Sequence, residues 1–79
     1  MVINLTEMKP GQSGVIVELK GGFQFTERLG QLGLRKGKKV KKVSSVFKRS
    51  PVIVCIDKYQ IAIGYGKAVR VLVEVTGNG

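Results

Sequence analysis

Histidine and tryptophan are absent from this 79-residue sequence, and cysteine occurs once, at Cys55. Without histidine, the commonest general base and metal ligand near neutral pH is missing. A single thiol can form neither an internal disulfide nor a zinc or iron–sulfur site. Carboxylates are scarce as well: Glu7, Glu18, Glu27, Asp57 and Glu74 are scattered and offer no pair suited to acid–base work. No phosphate-binding loop or dinucleotide fingerprint is present. These gaps argue against an enzyme, a resident cofactor or a metal site, and they leave binding to a partner as the natural mode of action. Long apolar runs are missing too. None approaches the ~20 residues that span a bilayer, and no cationic leader precedes an apolar stretch, so an intracellular protein is expected.

What remains is a compact globular composition, 43% hydrophobic and 24% charged, in a chain long enough for one domain. The stretch from Asn4 to Gln12 reads as irregular and ends in the turn signal Pro10-Gly11, with Leu5 and Met8 able to tuck onto a core. A first strand is expected over Gly14 to Lys20, with Val15, Val17 and Leu19 on one face and Ile16, Glu18 and Lys20 on the other. After Gly21-Gly22, the residues Phe25, Leu29 and Leu32 recur at helical spacing, so a short helix is predicted near residues 25 to 33. Thr26 is its expected N-cap, Glu27 complements its dipole and Gly33 ends it. Gly30 costs about 1 kcal/mol in a helix interior and would allow close packing against a strand.

A second strand is expected from Lys38 to Phe47. Val40, Val43, Val46 and Phe47 share no single period-2 face, which predicts a bulge or bend. Val52 to Ile56 reads as a buried strand in which Cys55 is a small packing residue. Asp57-Lys58-Tyr59 reads as a hairpin turn, Gln60 to Ile63 as a short strand, and Gly64 to Ala68 as a turn with room for one helical turn. The last strand is the clearest: Val69, Val71, Val73 and Val75 face one way, Arg70, Leu72 and Glu74 the other. Residues 76–79 read as a frayed tail. Five short strands and one short helix in so small a chain hide their edges best by curling into a mainly β barrel.

Charge is the most distinctive feature. Fourteen Lys and Arg face five acids, a net charge of +9. Arg35, Lys36, Lys38, Lys39, Lys41, Lys42, Lys48 and Arg49 fall within fifteen residues that contain no acid. The plain role for such a cluster is a solvated strand protected by lysines from edge pairing. Eight like charges repel one another, however, which favours a surface that meets an anionic partner: an acidic protein face, an anionic lipid leaflet or nucleic acid. Phe47 and Tyr59 lie near the cluster in sequence, and aromatics beside a basic stripe can stack bases, although both also suit packing.

The order of these pieces resembles the FeoA family, ferrous iron transport protein A, over about residues 3 to 75. The resemblance runs through Met8-Lys9-Pro10-Gly11, Gly21-Gly22, the stretch Arg28-Leu29-Gly30-Gln31-Leu32-Gly33-Leu34-Arg35-Lys36-Gly37, Ile61-Ala62-Ile63, and Ala68 before the valine-rich strand. It implies an SH3-like barrel, a fold that also occurs as the C-terminal domain of iron- and manganese-dependent repressors. It further implies a cytoplasmic accessory, peripheral to the inner membrane, that binds the membrane GTPase transporter FeoB and affects its activity without carrying iron. The partner surface is then expected at Arg35, Lys36, Lys38, Lys39, Lys41 and Lys42, with the helix as the other possible face. An RNA- or DNA-binding basic barrel is the alternative. The segment Ile63-Gly64-Tyr65-Gly66-Lys67 departs from the family in being glycine-rich where many relatives carry a basic residue.

Overall fold

The computed structural model describes residues 1–44 and 50–75. Six strands form one antiparallel sheet in the order β1-β6-β2-β3-β4-β5. They are β1 (Val2–Asn4), β2 (Ser13–Leu19), β3 (Lys39–Ser44), β4 (Val52–Ile56), β5 (Tyr59–Ile63) and β6 (Val71–Val75). Helix α1 (Phe23–Gln31) links β2 to β3, and the single turn α2 (Tyr65–Ala68) links β5 to β6. The core sits on one face of the sheet and is closed by the helix and by a 3-10 turn over Leu5–Glu7.

The start of the chain is more ordered than its composition suggests. Val2–Asn4 pairs with β6, setting Ile3 opposite Val73. Asn4 then caps the 3-10 turn: its side chain accepts from the Thr6 amide at 2.8 Å, while the Asn4 amide donates to Glu7 Oε1 at 2.9 Å. This reciprocal box satisfies two donors that would otherwise be orphaned. It delivers Leu5 and Met8 into the core, both essentially inaccessible to solvent.

The faces of β2 differ from the expected alternation. Ile16 pairs with Val73, but Glu18 pairs with Leu72, so Val17 is an extra residue on β2. This bulge reverses the parity of the strand. Ile16 points into the core before it, Leu19 packs against the core after it, and Val15 and Val17 are exposed. A second bulge falls where the sequence called for one. Lys42 pairs with Val54 and Ser44 with Ile53, leaving Val43 as the extra residue.

Helix α1 begins two residues earlier than expected. Gly22, not Thr26, is the N-cap, and it supplies no side-chain hydrogen bond. Phe25 and Leu29 face inward as the periodicity required. Leu32 lies past the last helical residue and is half exposed. The helix ends in a Schellman motif: the Leu34 amide donates to Leu29 O at 2.9 Å and the Gly33 amide to Gly30 O at 3.0 Å. Gly33 takes φ +96°, and Leu34 drops into the core beside Leu29. The residue that approaches Gly30 is Arg35, whose Nε donates to Gly30 O at 3.1 Å, rather than a strand.

The remaining strands follow the expected pattern with two adjustments. In β4 the residues Val52, Val54 and Ile56 are buried, which turns Cys55 outward, half-buried, instead of into the core. The hairpin turn holds only Asp57 and Lys58, with Asp57 at φ +57°; Tyr59 already belongs to β5, opposite Ile56. Along β6 the inward residues Val71, Val73 and Val75 are all buried, as read from the sequence. The expected residues Val46, Phe47, Lys48 and Arg49 and the tail 76–79 lie outside the described residues.

Candidate functional site

The basic cluster divides once the chain folds, because alternate residues of a strand face opposite sides of the sheet. Lys39 and Lys41 project outward from β3, paired across the sheet with Val15 and Ser13 of β2. Lys36 is exposed in the turn before β3. Lys38 is partly neutralised: its Nζ lies 3.0 Å from Asp57 in an ion pair that closes the β3 end over the β4–β5 hairpin. Arg35 is exposed but engaged at the helix C-terminus through Gly30. Lys42 leaves the cluster altogether. It points inward, only 1% exposed, and its Nζ donates to Leu5 O and Thr6 O, each at 3.1 Å. Burial lowers its pKa from the ordinary 10.5. The partner-binding set expected from the sequence therefore loses Lys42 to the interior; Lys38 alone of the set is in an ion pair among the described residues, and Lys36, Lys39 and Lys41 are exposed without one. Lys48 and Arg49 cannot be added, lying outside that range.

Cys55 flanks this face. It is paired with Lys41 across β3 and β4, and its thiol lies 3.8 Å from Asp57 O. Among the described residues no group of three His, Cys, Asp or Glu is placed to hold a metal ion. No described helix is long and apolar enough to cross a membrane.

A second surface was not legible as a site. Between α1 and the end of β5 lies a groove of about 520 Å³. Its apolar lining comes from Phe25, Leu29 and Leu32 on the helix side and from Ala62 and Ile63 on β5. Its charged lining is all positive: Arg28 from α1 and Lys67 from α2. The Arg70 guanidinium lies over the ring of Phe25, 5.5 Å from its centroid, and the ring occupies space that a side chain at Gly21 would fill. In the sequence, Phe25, Leu29 and Leu32 form one stripe at helical spacing, which reads as core. Only Leu29 is fully buried, because the Schellman turn carries Leu32 off the helix face.

Comparison with known proteins places the chain in a consistent setting. The profile of the FeoA domain matches residues 3–75. A Campylobacter jejuni protein, provisionally named Fe(2+) transport protein A, is 34% identical over 55 residues, 70% of this chain and 74% of that one. A crystal structure of an iron uptake regulatory protein, FeoA, superposes with a TM-score of 0.90 at 34% identity, covering 96% of this chain and all of the other. The zinc-complexed FeoA of Stenotrophomonas maltophilia, described as an SH3 domain protein, matches with a TM-score of 0.74 at 26% identity over 91% of this chain and 89% of that one. The fold seen here is this SH3-like fold.

Proposed function

The chain belongs to the FeoA family of ferrous iron transport proteins, and from that membership we propose that it is a cytoplasmic accessory of ferrous iron uptake that binds the FeoB-type membrane GTPase transporter and modulates its activity. The observation that carries this reading is the family match across nearly the whole chain, from residue 3 to 75. The surface chemistry is in keeping with it. Lys36, Lys39 and Lys41 stand exposed outside any ion pair among the described residues, as a face that meets an acidic protein surface or the anionic leaflet beside it should. No catalytic step is assigned to the chain, and no iron passes through it in this reading.

The test is direct association with membrane vesicles that contain the transporter, read alongside the GTPase rate. Binding that falls with salt, together with a changed GTPase rate, supports the proposal; vesicles with and without the transporter binding equally would sink it. The nucleic-acid alternative has one observation in its favour, the 74% exposure of Tyr59, an aromatic ring on which a base can stack. Filter binding of a mixed-sequence RNA and DNA oligonucleotide pool at low salt decides it.

A further inference from the structure

We propose that the groove between α1 and β5 receives an extended peptide segment that alternates apolar with acidic residues and adds as a strand to the edge of β5. As to which protein owns that segment, the proposal rests on the transporter-accessory reading; the chemistry of the groove stands apart from it.

Three observations converge on this occupant. First, β5 is the last strand in the sheet order, so its outer edge has no neighbouring strand among the described residues. The two-residue turn makes Ile56 and Tyr59 a hydrogen-bonded closing pair. Alternation along the ladder then sends the N–H and C=O of Gln60 and Ala62 away from β4 and toward an incoming strand. Second, the groove opens beside that edge, with Ala62 and Ile63 in its lining and Leu32, 53% exposed, facing across from the helix end. A strand laid on β5 presents every second side chain to this apolar lining. Third, both charged residues of the lining are cations, Arg28 and Lys67, and none is acidic. The segment passes these cations where it lies along the groove, so acids in it are favoured and lysines disfavoured. The fit is to an extended acidic and apolar segment; a basic amphipathic helix or a lipid headgroup would leave either the strand edge or the apolar lining unused.

The groove is tested with a ten-residue random peptide library displayed on phage, selected against the full chain. A synthetic copy of an enriched peptide is then titrated by fluorescence anisotropy. Enriched sequences are expected to alternate apolar and acidic residues. Their affinity should fall by about tenfold or more in Arg28→Glu/Lys67→Glu, and stay within about twofold in Lys39→Glu/Lys41→Glu. Methylating alternate backbone amides of the peptide should abolish binding in one of the two registers and spare it in the other. The proposal is overturned if no peptide is enriched, if enriched peptides lack acids, if the Arg28→Glu/Lys67→Glu variant binds as tightly as wild type, or if light scattering shows that a second copy of the chain already occupies the edge. Competition by the same peptide against transporter vesicles separates the two claims. A peptide that binds the groove while wild type ignores the vesicles refutes the accessory reading alone; vesicle binding that the groove variant retains and the peptide does not displace refutes the groove alone.

Discussion

The Nζ of Lys42 donates to the carbonyl of Leu5 across 37 residues of sequence, at 3.1 Å inside the protein. The bond joins the middle of β3 to the 3-10 turn that follows β1, and a second bond to Thr6 O doubles it. The contact explains why a lysine sits in a buried position beside Val40 and Val54. It supplies a donor to Thr6 O and a second donor to Leu5 O, which already accepts from the Met8 amide at 3.3 Å.

Removing that donor should loosen the N-terminal segment. Lys42→Met keeps the length and apolar stem but strips Thr6 O of its donor and leaves Leu5 O with the Met8 amide alone, which costs about 1–3 kcal/mol. Urea denaturation should show the midpoint lowered with the slope retained. A Met variant as stable as wild type would mean that relief from burying the charge outweighs the lost bonds.

The same residue predicts a pH dependence. Its pKa is lowered in the folded protein and returns to about 10.5 on unfolding. Between those two values the unfolded chain holds the proton that the folded one has released, so stability rises with pH through that window and is flat with respect to this group below it. Tyrosines and the other lysines titrate in the same range. The measured quantity is therefore the difference between wild type and Lys42→Met, which should shift in favour of wild type as pH rises toward 10.5.

The bulge in β2 gives a test of which valines hold the sheet together. Val71→Asp places a charge with no partner at a fully buried position and should cost several kcal/mol, enough to abolish a cooperative transition in a domain this small. Val17→Asp, at the extra residue of β2, should stay within about 0.5 kcal/mol of wild type. Thermal denaturation followed by circular dichroism distinguishes them, and equal losses would show that Val17 is a core residue.

The two glycines at the end of α1 should respond with opposite sign. Gly33 sits at φ +96°, where a side chain costs about 1–2 kcal/mol, so Gly33→Ala destabilises. Gly30 has an ordinary helical backbone, and a methyl there would meet only the Arg35 side chain at 3.5 Å. Gly30→Ala should therefore add up to about 1 kcal/mol. Matched denaturation curves of the two variants report both signs at once.

These residues also show what the sequence could and could not convey. Patterns set by local chemistry were readable: the valines of β6, the Gly33 helix stop, the β4–β5 hairpin and the bulge in β3. The bulge in β2 was hidden because Val15, Val17 and Leu19 alternate regularly in sequence, and only pairing with β6 decides which residues face inward. Lys42 was indistinguishable from Lys41 in composition; its position after Val40 on the inward face settles it, and that face is fixed by tertiary contact. The groove was invisible for a similar reason, since Leu32 belongs to the helical stripe in sequence but to the cap in space.

The exposed lysines of β3 give the last prediction. Lys39 and Lys41 share the outward face, while Lys38 is tied to Asp57 and Lys42 is interior, so Lys39→Glu/Lys41→Glu reverses charge without touching the core or an ion pair. The fold should be kept, since exposed substitutions of this kind stay within about 0.5 kcal/mol. Exposed charges act mainly on encounter, and salt screens them over about 8 Å at physiological ionic strength. The variant should therefore associate several-fold more slowly with transporter vesicles at low salt and approach the wild-type rate as salt rises, with dissociation little changed. Gln31→Arg, at the groove, serves as the comparison: it leaves the β3 face intact and alters the lining beside Leu32. If the glutamate variant associates as fast as wild type at low salt while Gln31→Arg does not, the β3 lysines are a solvated strand and the groove alone makes the contact.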